Sequence, residues 1–118
     1  MPVERRYDLE DRTFEFAKNV RAFLREYPKT AECLEDTKQL LRSSGSVGAN
    51  YIEANESLGS KDFIMRIKIS RKEAKESRYW LKLLDATHGT KLEEKRTALI
   101  QEVTELMNIF GAIVRRIK

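Results

Sequence analysis

The sequence predicts an all-α protein, an antiparallel four-helix bundle of up-down-up-down topology in a single domain over residues 1–118. Apolar residues recur at helical spacing in four segments, and no segment sustains the alternation typical of strands. The breaks at Pro28, Gly59 and Gly89 leave only a few residues for each connection, which places consecutive helices antiparallel. The first eight or so residues are expected to fray.

The first two predicted helices cover about residues 9–26 and 31–58. Pro28 ends the first, because proline has no N–H and disfavours helix at the residue before it. The middle of the second, residues 43–49, reads Ser-Ser-Gly-Ser-Val-Gly-Ala and has poor helix propensity. It is either a loop or a helix whose small residues let another backbone come close. Apolar residues on both sides keep helical phase, which favours one continuous helix.

The third and fourth helices are predicted from their end signals and their apolar stripes. Ser60 is the expected N-cap of the third helix, and Gly89 is the expected positive-φ residue at its end. Thr90 and Glu93 have the spacing of a capping box at the start of the fourth helix. The apolar stripe of the fourth helix is wide, which indicates more than one packing partner.

The net positive charge is concentrated in the third helix. The chain has a formal net charge of +4, and residues 60–88 alone hold eight basic and four acidic residues. On a helical wheel the basic residues form one stripe that also contains Tyr79. The candidate nucleic-acid-binding residues are Lys68, Arg71, Lys72, Lys75, Arg78 and Lys82. Such a stripe binds phosphates of RNA or DNA, or is an ordinary solvated helix face, and no known nucleic-acid motif accompanies it.

A further face of the third helix mixes large apolar side chains with carboxylates. A monomeric bundle needs only one apolar face on each helix, so a second one predicts a homo-oligomer. Carboxylate and amide groups there and on the second helix are expected to form hydrogen bonds with Arg and Ser. The candidate interface residues are Met65, Ile69, Glu73, Glu76, Trp80, Asn50 and Glu53.

The composition argues against catalysis and cofactors. One Cys and one His make neither an intramolecular disulfide nor a Cys/His zinc site, and Cys33 is interpreted as a small hydrophobe. The carboxylates lack the Glu-x-x-His pairs of di-iron bundles, and the serines lack a histidine base. We therefore predict no catalytic residue, metal or cofactor. The absence of a signal peptide or a long apolar run predicts a cytoplasmic protein with no membrane partner.

Two stretches carry a resemblance to a known family. Residues 46–54 read Ser-Val-Gly-Ala-Asn-Tyr-Ile-Glu-Ala, and residues 76–81 read Glu-Ser-Arg-Tyr-Trp-Leu. Over nearly its whole length the sequence resembles the bacterial four helix bundle proteins encoded in intervening sequences of 23S rRNA genes. That resemblance implies a homopentamer, which would carry five times the net charge of one chain. It implies no established activity. Gly45 stands where the family more often has Thr or Ala.

The sequence is also similar to accessory proteins of diversity-generating retroelements. That similarity implies a basic pentameric bundle that contacts a reverse transcriptase and nucleic acid. The leading hypothesis is therefore a non-enzymatic homo-oligomer that binds RNA, DNA or a nucleoprotein partner through the basic stripe of the third helix. The alternative is a structural protein–protein interaction module without nucleic-acid binding. A salt-dependent affinity for nucleic acid separates the two.

Overall fold

The computed structural model describes residues 2–84 and 89–117, with side chains from residue 9 onward. It contains four helices, α1 (Pro2–Glu26), α2 (Ala31–Asn55), α3 (Ser60–Leu83) and α4 (Thr90–Ile117), and no strand in the described ranges. Helices of 24 to 28 residues are about 36–42 Å long. The molecule measures 45 × 26 × 19 Å, so each helix runs along most of its length.

The four helices pack only against their neighbours in a ring. α1 contacts α2, α2 contacts α3, α3 contacts α4, and α4 returns to α1, whereas neither diagonal pair makes contact within the described ranges. The predicted all-α four-helix bundle is confirmed. α4 packs against both α3 and α1, as its wide apolar stripe predicted.

The core is a column of large apolar side chains with contributions from every helix. Residues that are at most 1% exposed come from all four helices: Phe16, Phe23, Leu40, Val47, Ile67, Leu81, Val103, Leu106 and Phe110. By length and composition alone, α4 could also cross a bilayer, and it is the single such helix in the part of the chain described. Here its inward face is core, and a core helix passes the same test.

Helix α2 runs without a break through residues 43–49, so the continuous helix is confirmed. Its small residues face different neighbours. Gly48 lies against Thr13 of α1, and the Ser43 hydroxyl shares a 2.8 Å hydrogen bond with the Ser77 hydroxyl of α3. Ser70 of α3 donates to the carbonyl oxygen of Val47 at 3.0 Å. These contacts satisfy the buried hydroxyls and bring α2 close to both of its neighbours.

Several helix ends differ from the sequence prediction. α2 ends at Asn55 rather than near residue 58. α1 begins at Pro2, seven residues earlier than predicted, because proline is tolerated in a first turn, where its missing N–H would have no acceptor. The N-cap of α3 is Gly59 rather than Ser60. Gly89 has the predicted positive φ, 116°, but directly precedes α4.

The capping box predicted at Thr90 is wrong by one residue. The carbonyl oxygen of Gly89 accepts the first helical hydrogen bond, from the Glu93 N–H at 3.1 Å. Thr90 is therefore already inside the helix. The Glu93 carboxylate instead accepts hydrogen bonds from Arg96 at 2.9 Å and Thr97 at 3.3 Å.

Ion pairs supplement the contact between α1 and α4. Arg12 donates to both carboxylate oxygens of Glu102, at 3.0 and 2.7 Å, and to Glu105 at 3.0 Å. The hydrogen bond to Glu102 raises the pKa of Arg12 above its usual range. Hydrogen bonds from Gln101, first, and then Arg12 lower the pKa of Glu105. Both groups therefore stay charged at neutral pH and join the two helices.

Candidate nucleic-acid interface

The rotation of α3 in the bundle is determined by a row of small and apolar side chains. This inward row is fully buried against α2 and α4, and it comprises Ile67, Ser70, Ala74, Ser77 and Leu81. Long side chains cannot take these positions because the helices are too close. The basic stripe is therefore left on the side of α3 that faces solvent and α4.

A groove between α3 and α4 receives most of this stripe. Its volume is about 540 Å³. The residues that line it are Lys68, Arg71, Lys72, Lys75, Gly111, Val114 and Arg115. Five of these seven are cations, and within the described ranges no carboxylate lines the groove. We call this feature the basic groove.

Most cations of the basic groove have no acidic partner. Lys72 reaches only to 4.0 Å from Glu76, and no described carboxylate lies within that distance of the other four. Among the described residues, three arginines elsewhere are paired with carboxylates: Arg12 at 2.7 Å from Glu102, Arg42 at 3.0 Å from Glu76 and Arg96 at 2.9 Å from Glu93. The groove therefore holds a local positive charge that the bundle does not neutralise.

Two of the predicted binding residues lie outside the basic groove. Arg78 is half-buried and donates to the Thr104 hydroxyl at 3.4 Å, so its side chain lies along α4. Lys82 is exposed near the end of α3. Tyr79 is 58% exposed and meets Trp80 edge to face at 5.1 Å between ring centroids, which leaves an aromatic face beside the stripe.

Sequence reasoning missed the contribution of α4 to this site. Gly111 and Arg115 are four residues apart and therefore lie on one face of the helix, opposite α3. This spacing is present in the sequence, but spacing within α4 does not show which helix its polar face lies against. Only the packing of α4 against α3 places Arg115 beside Arg71.

The mixed face of α3 is partly used within the bundle. Arg42 of α2 donates to Glu73 at 3.4 Å and to Glu76 at 3.0 Å. Glu73 is only 8% exposed, so this carboxylate lies at the edge of the core with its partner on the neighbouring helix. These contacts are the predicted hydrogen bonds to Arg.

The other predicted interface residues differ in exposure. Asn50 accepts a hydrogen bond from Arg66 at 3.2 Å and donates to the Ser46 carbonyl at 2.9 Å. Glu53 is exposed, and Met65 is 53% exposed. Asn50, Ile69 and Trp80 are half-buried. Because Trp80 also packs on the core, a substitution there changes the bundle as well as its surface.

The family described as 23S rRNA-intervening sequence protein matches residues 5–112. The chain belongs to this family. The resemblance inferred from the sequence is thereby confirmed. The α3 side of the basic groove and Gly111 fall inside the matched region, whereas Val114 and Arg115 follow it.

A solved structure shows a similar chain. It is the 1.70 Å crystal structure of a protein of unknown function from the S23 ribosomal protein family of Bacteroides thetaiotaomicron VPI-5482. The two chains are 32% identical, and the TM-score is 0.74. The match covers 90% of this chain and 97% of the other chain. No curated protein matches the sequence.

Outside the basic groove and the mixed face of α3, the described residues form few groups suited to metal binding or to reaction. No group of three or more His, Cys, Asp or Glu in the described ranges is arranged to hold a metal ion. Cys33 is a half-buried thiol beside a mostly apolar groove of about 380 Å³ between the ends of α1 and α2. His88, the single histidine of the sequence, lies outside the described residues.

Proposed function

We propose that this protein is a non-enzymatic, cytoplasmic homo-oligomer that binds nucleic acid through the phosphate backbone. The observation that carries the proposal is the basic groove, where cations from two helices converge and most of them have no acidic partner among the described residues. Polyanion binding to such a site releases counterions, which supplies most of the affinity in sequence-independent binding. The description of the family refers to 23S rRNA, which is consistent with a nucleic-acid partner.

The chemistry of the groove favours phosphate recognition over base reading. Lysine and arginine side chains line it, and no described Asn or Gln is among the lining residues. Tyr79 supplies one exposed ring for stacking, which is tolerant of base identity. We therefore expect little sequence preference, and similar affinities for single-stranded RNA and DNA of the same sequence.

A salt titration tests the proposal. The full chain is titrated against a fluorescent single-stranded RNA of mixed sequence, and binding is followed by anisotropy. If each of the five groove cations contacts one phosphate, the plot of log affinity against log salt should have a slope of about −3.5 per bound protomer. Affinity should then fall roughly 130-fold between about 50 and 200 mM salt. Absence of binding at low salt would refute the proposal and favour a structural protein–protein module.

The homo-oligomer is proposed from the surface beside the basic groove. Met65 is 53% exposed, and half-buried Ile69 lies one turn further along the same face of α3. Exposed apolar side chains of this kind are typical of protein interfaces. The pentamer implied by the family resemblance would place several basic grooves on one particle and raise the avidity for a long strand.

Replacing Met65 with glutamate tests this interface. The wild-type chain should have a mass several times 13.8 kDa by light scattering at micromolar concentration, and the variant should approach the monomer mass. The charge should disrupt an apolar contact between copies but cost an isolated bundle little, because the side chain is exposed. Phe14→Glu is the matched control, since Phe14 is 61% exposed on α1. A monomeric wild type, or equal dissociation by both variants, contradicts the assignment.

A further inference from the structure

Two guanidinium groups from different helices converge over Gly111. The Arg115 Nη1 and Arg71 Nε atoms lie 3.3 and 3.4 Å from the point that a β-carbon on residue 111 would occupy. The separation of the two nitrogens therefore cannot exceed the sum of these two distances. Gly111 itself is buried, whereas both arginines are exposed to the basic groove.

This arrangement places like charges together with no described carboxylate beside either of them. Arg42, by contrast, lies between two carboxylates, at 3.4 Å from Glu73 and 3.0 Å from Glu76. Like charges this close repel one another, so an anion that bridges them gains from both. Guanidinium groups present several N–H donors in a planar fork, which suits the oxygens of a phosphate.

Gly111 provides the space for this pair. It lies inside α4 with no positive φ, where glycine is less favourable than alanine for helix formation. A β-carbon at this position would lie 3.3 Å from the Arg115 Nη1 atom, which is a tight contact, and 3.4 Å from the Arg71 Nε atom, at the edge of ordinary van der Waals distance. The Arg115 side chain would give way by a few tenths of an ångström. The glycine therefore leaves room for the two groups in their present positions.

We propose that Arg71 and Arg115, seated over Gly111, form a phosphate-binding subsite that grips one phosphodiester of a strand in the basic groove. The proposal rests on the proposed nucleic-acid-binding function and gives it a specific point of contact. Lys68 and Lys75 lie about one turn before and after Arg71 on the same helix, so they face the phosphates on either side. The ligand chemistry is a phosphate group, free or within a strand.

The chain contains a matched control for this subsite. Arg115 and Arg116 are adjacent, both are exposed, and only Arg115 lines the groove. Arg115→Gln should weaken binding of single-stranded RNA about tenfold at low salt and lower the magnitude of the salt slope by about 0.7. Arg116→Gln removes the same charge and should change affinity less than about twofold. Equal losses of affinity in the two variants would overturn the subsite. The proposed function would not be affected by that result, because the salt titration tests it separately.

Two further measurements separate the subsite from the proposed function. Inorganic phosphate, titrated into the ¹⁵N-labelled chain, should shift the Arg71 and Arg115 Nε–H resonances before those of other arginines. Gly111→Ala should preserve or raise thermal stability and weaken RNA binding modestly, because its β-carbon shifts the Arg115 guanidinium group by a few tenths of an ångström. Phosphate shifts without RNA binding by the wild type would uphold the subsite and refute the nucleic-acid function. Uniform arginine shifts, or an unchanged RNA affinity in the Gly111→Ala variant, would overturn the subsite.

Discussion

Replacing Arg71, Lys72 and Lys75 with glutamate should reduce affinity for single-stranded RNA at least about a hundredfold at low salt. Three cations of the basic groove become anions, so three phosphate contacts are lost and each replacement repels the strand. The fold should survive, because all three side chains are exposed and the nearest ion pair, Lys72 with Glu76, is long at 4.0 Å. Anisotropy titrations measure the loss, and circular dichroism checks the helices.

A matched triple variant shows whether the position of the charge matters. Lys18, Lys38 and Lys91 are exposed lysines outside the basic groove, and their replacement by glutamate changes the net charge by the same amount. This control should lose far less affinity, since only the long-range field changes. Replacing the three groove residues with glutamine should give an intermediate loss. If both glutamate variants bind equally weakly, net charge alone explains the binding and the groove assignment is wrong.

Replacing Gly48 with alanine should produce the largest stability loss among the glycine variants of α2. The added β-carbon would lie 2.9 Å from the Thr13 hydroxyl oxygen and 3.2 Å from the Thr13 β-carbon. Thr13 cannot move aside easily, because it is 1% exposed, β-branched and donates to the Glu10 carbonyl at 3.0 Å. α1 and α2 would have to separate, and overpacking of this kind costs about 1–3 kcal/mol.

Gly45→Ala is the matched control for this effect. It lies in the same helix and gains the same intrinsic propensity, about 1 kcal/mol, but its β-carbon meets only the end of the flexible Arg21 side chain at 3.3 Å. Urea unfolding at fixed protein concentration should show Gly45→Ala equal to or more stable than wild type, and Gly48→Ala about 1–3 kcal/mol less stable than Gly45→Ala. Adding Thr13→Ala should recover part of the loss. Equal stabilities for the two single variants would refute the close contact.

The residues of α1 illustrate how well periodicity predicts burial. Phe16, Val20 and Phe23 follow one another at helical spacings of four and three residues, and all three are at most 1% exposed. The inward row of α3, from Ile67 to Leu81, has the same kind of spacing and is fully buried. The helix ends were less predictable. At Thr90, a helix that starts one residue earlier makes Gly89 the N-cap in place of Thr90, and the spacing of apolar residues does not distinguish the two.

The candidate site shows where that reasoning stopped. Four cations of the α3 stripe could be found on a helical wheel, because they share one helix and its period is known. Arg78 belongs to the same stripe by spacing, yet it lies against Thr104. Which stripe residues face a groove depends on the neighbouring helix, and a single-helix wheel contains no information on that neighbour.

The sequence by itself determined the number of helices, their order and which face of each is buried. These follow from local spacing, since burial of an apolar stripe dominates the free energy of a bundle. Only the tertiary structure decided that Gly48 packs against Thr13 and that Arg42 donates hydrogen bonds to Glu73 and Glu76. The approach of Arg71 and Arg115 over Gly111 was likewise decided by the tertiary structure. Such contacts depend on the separation and register of two helices, which are properties of the packed bundle and not of any one segment.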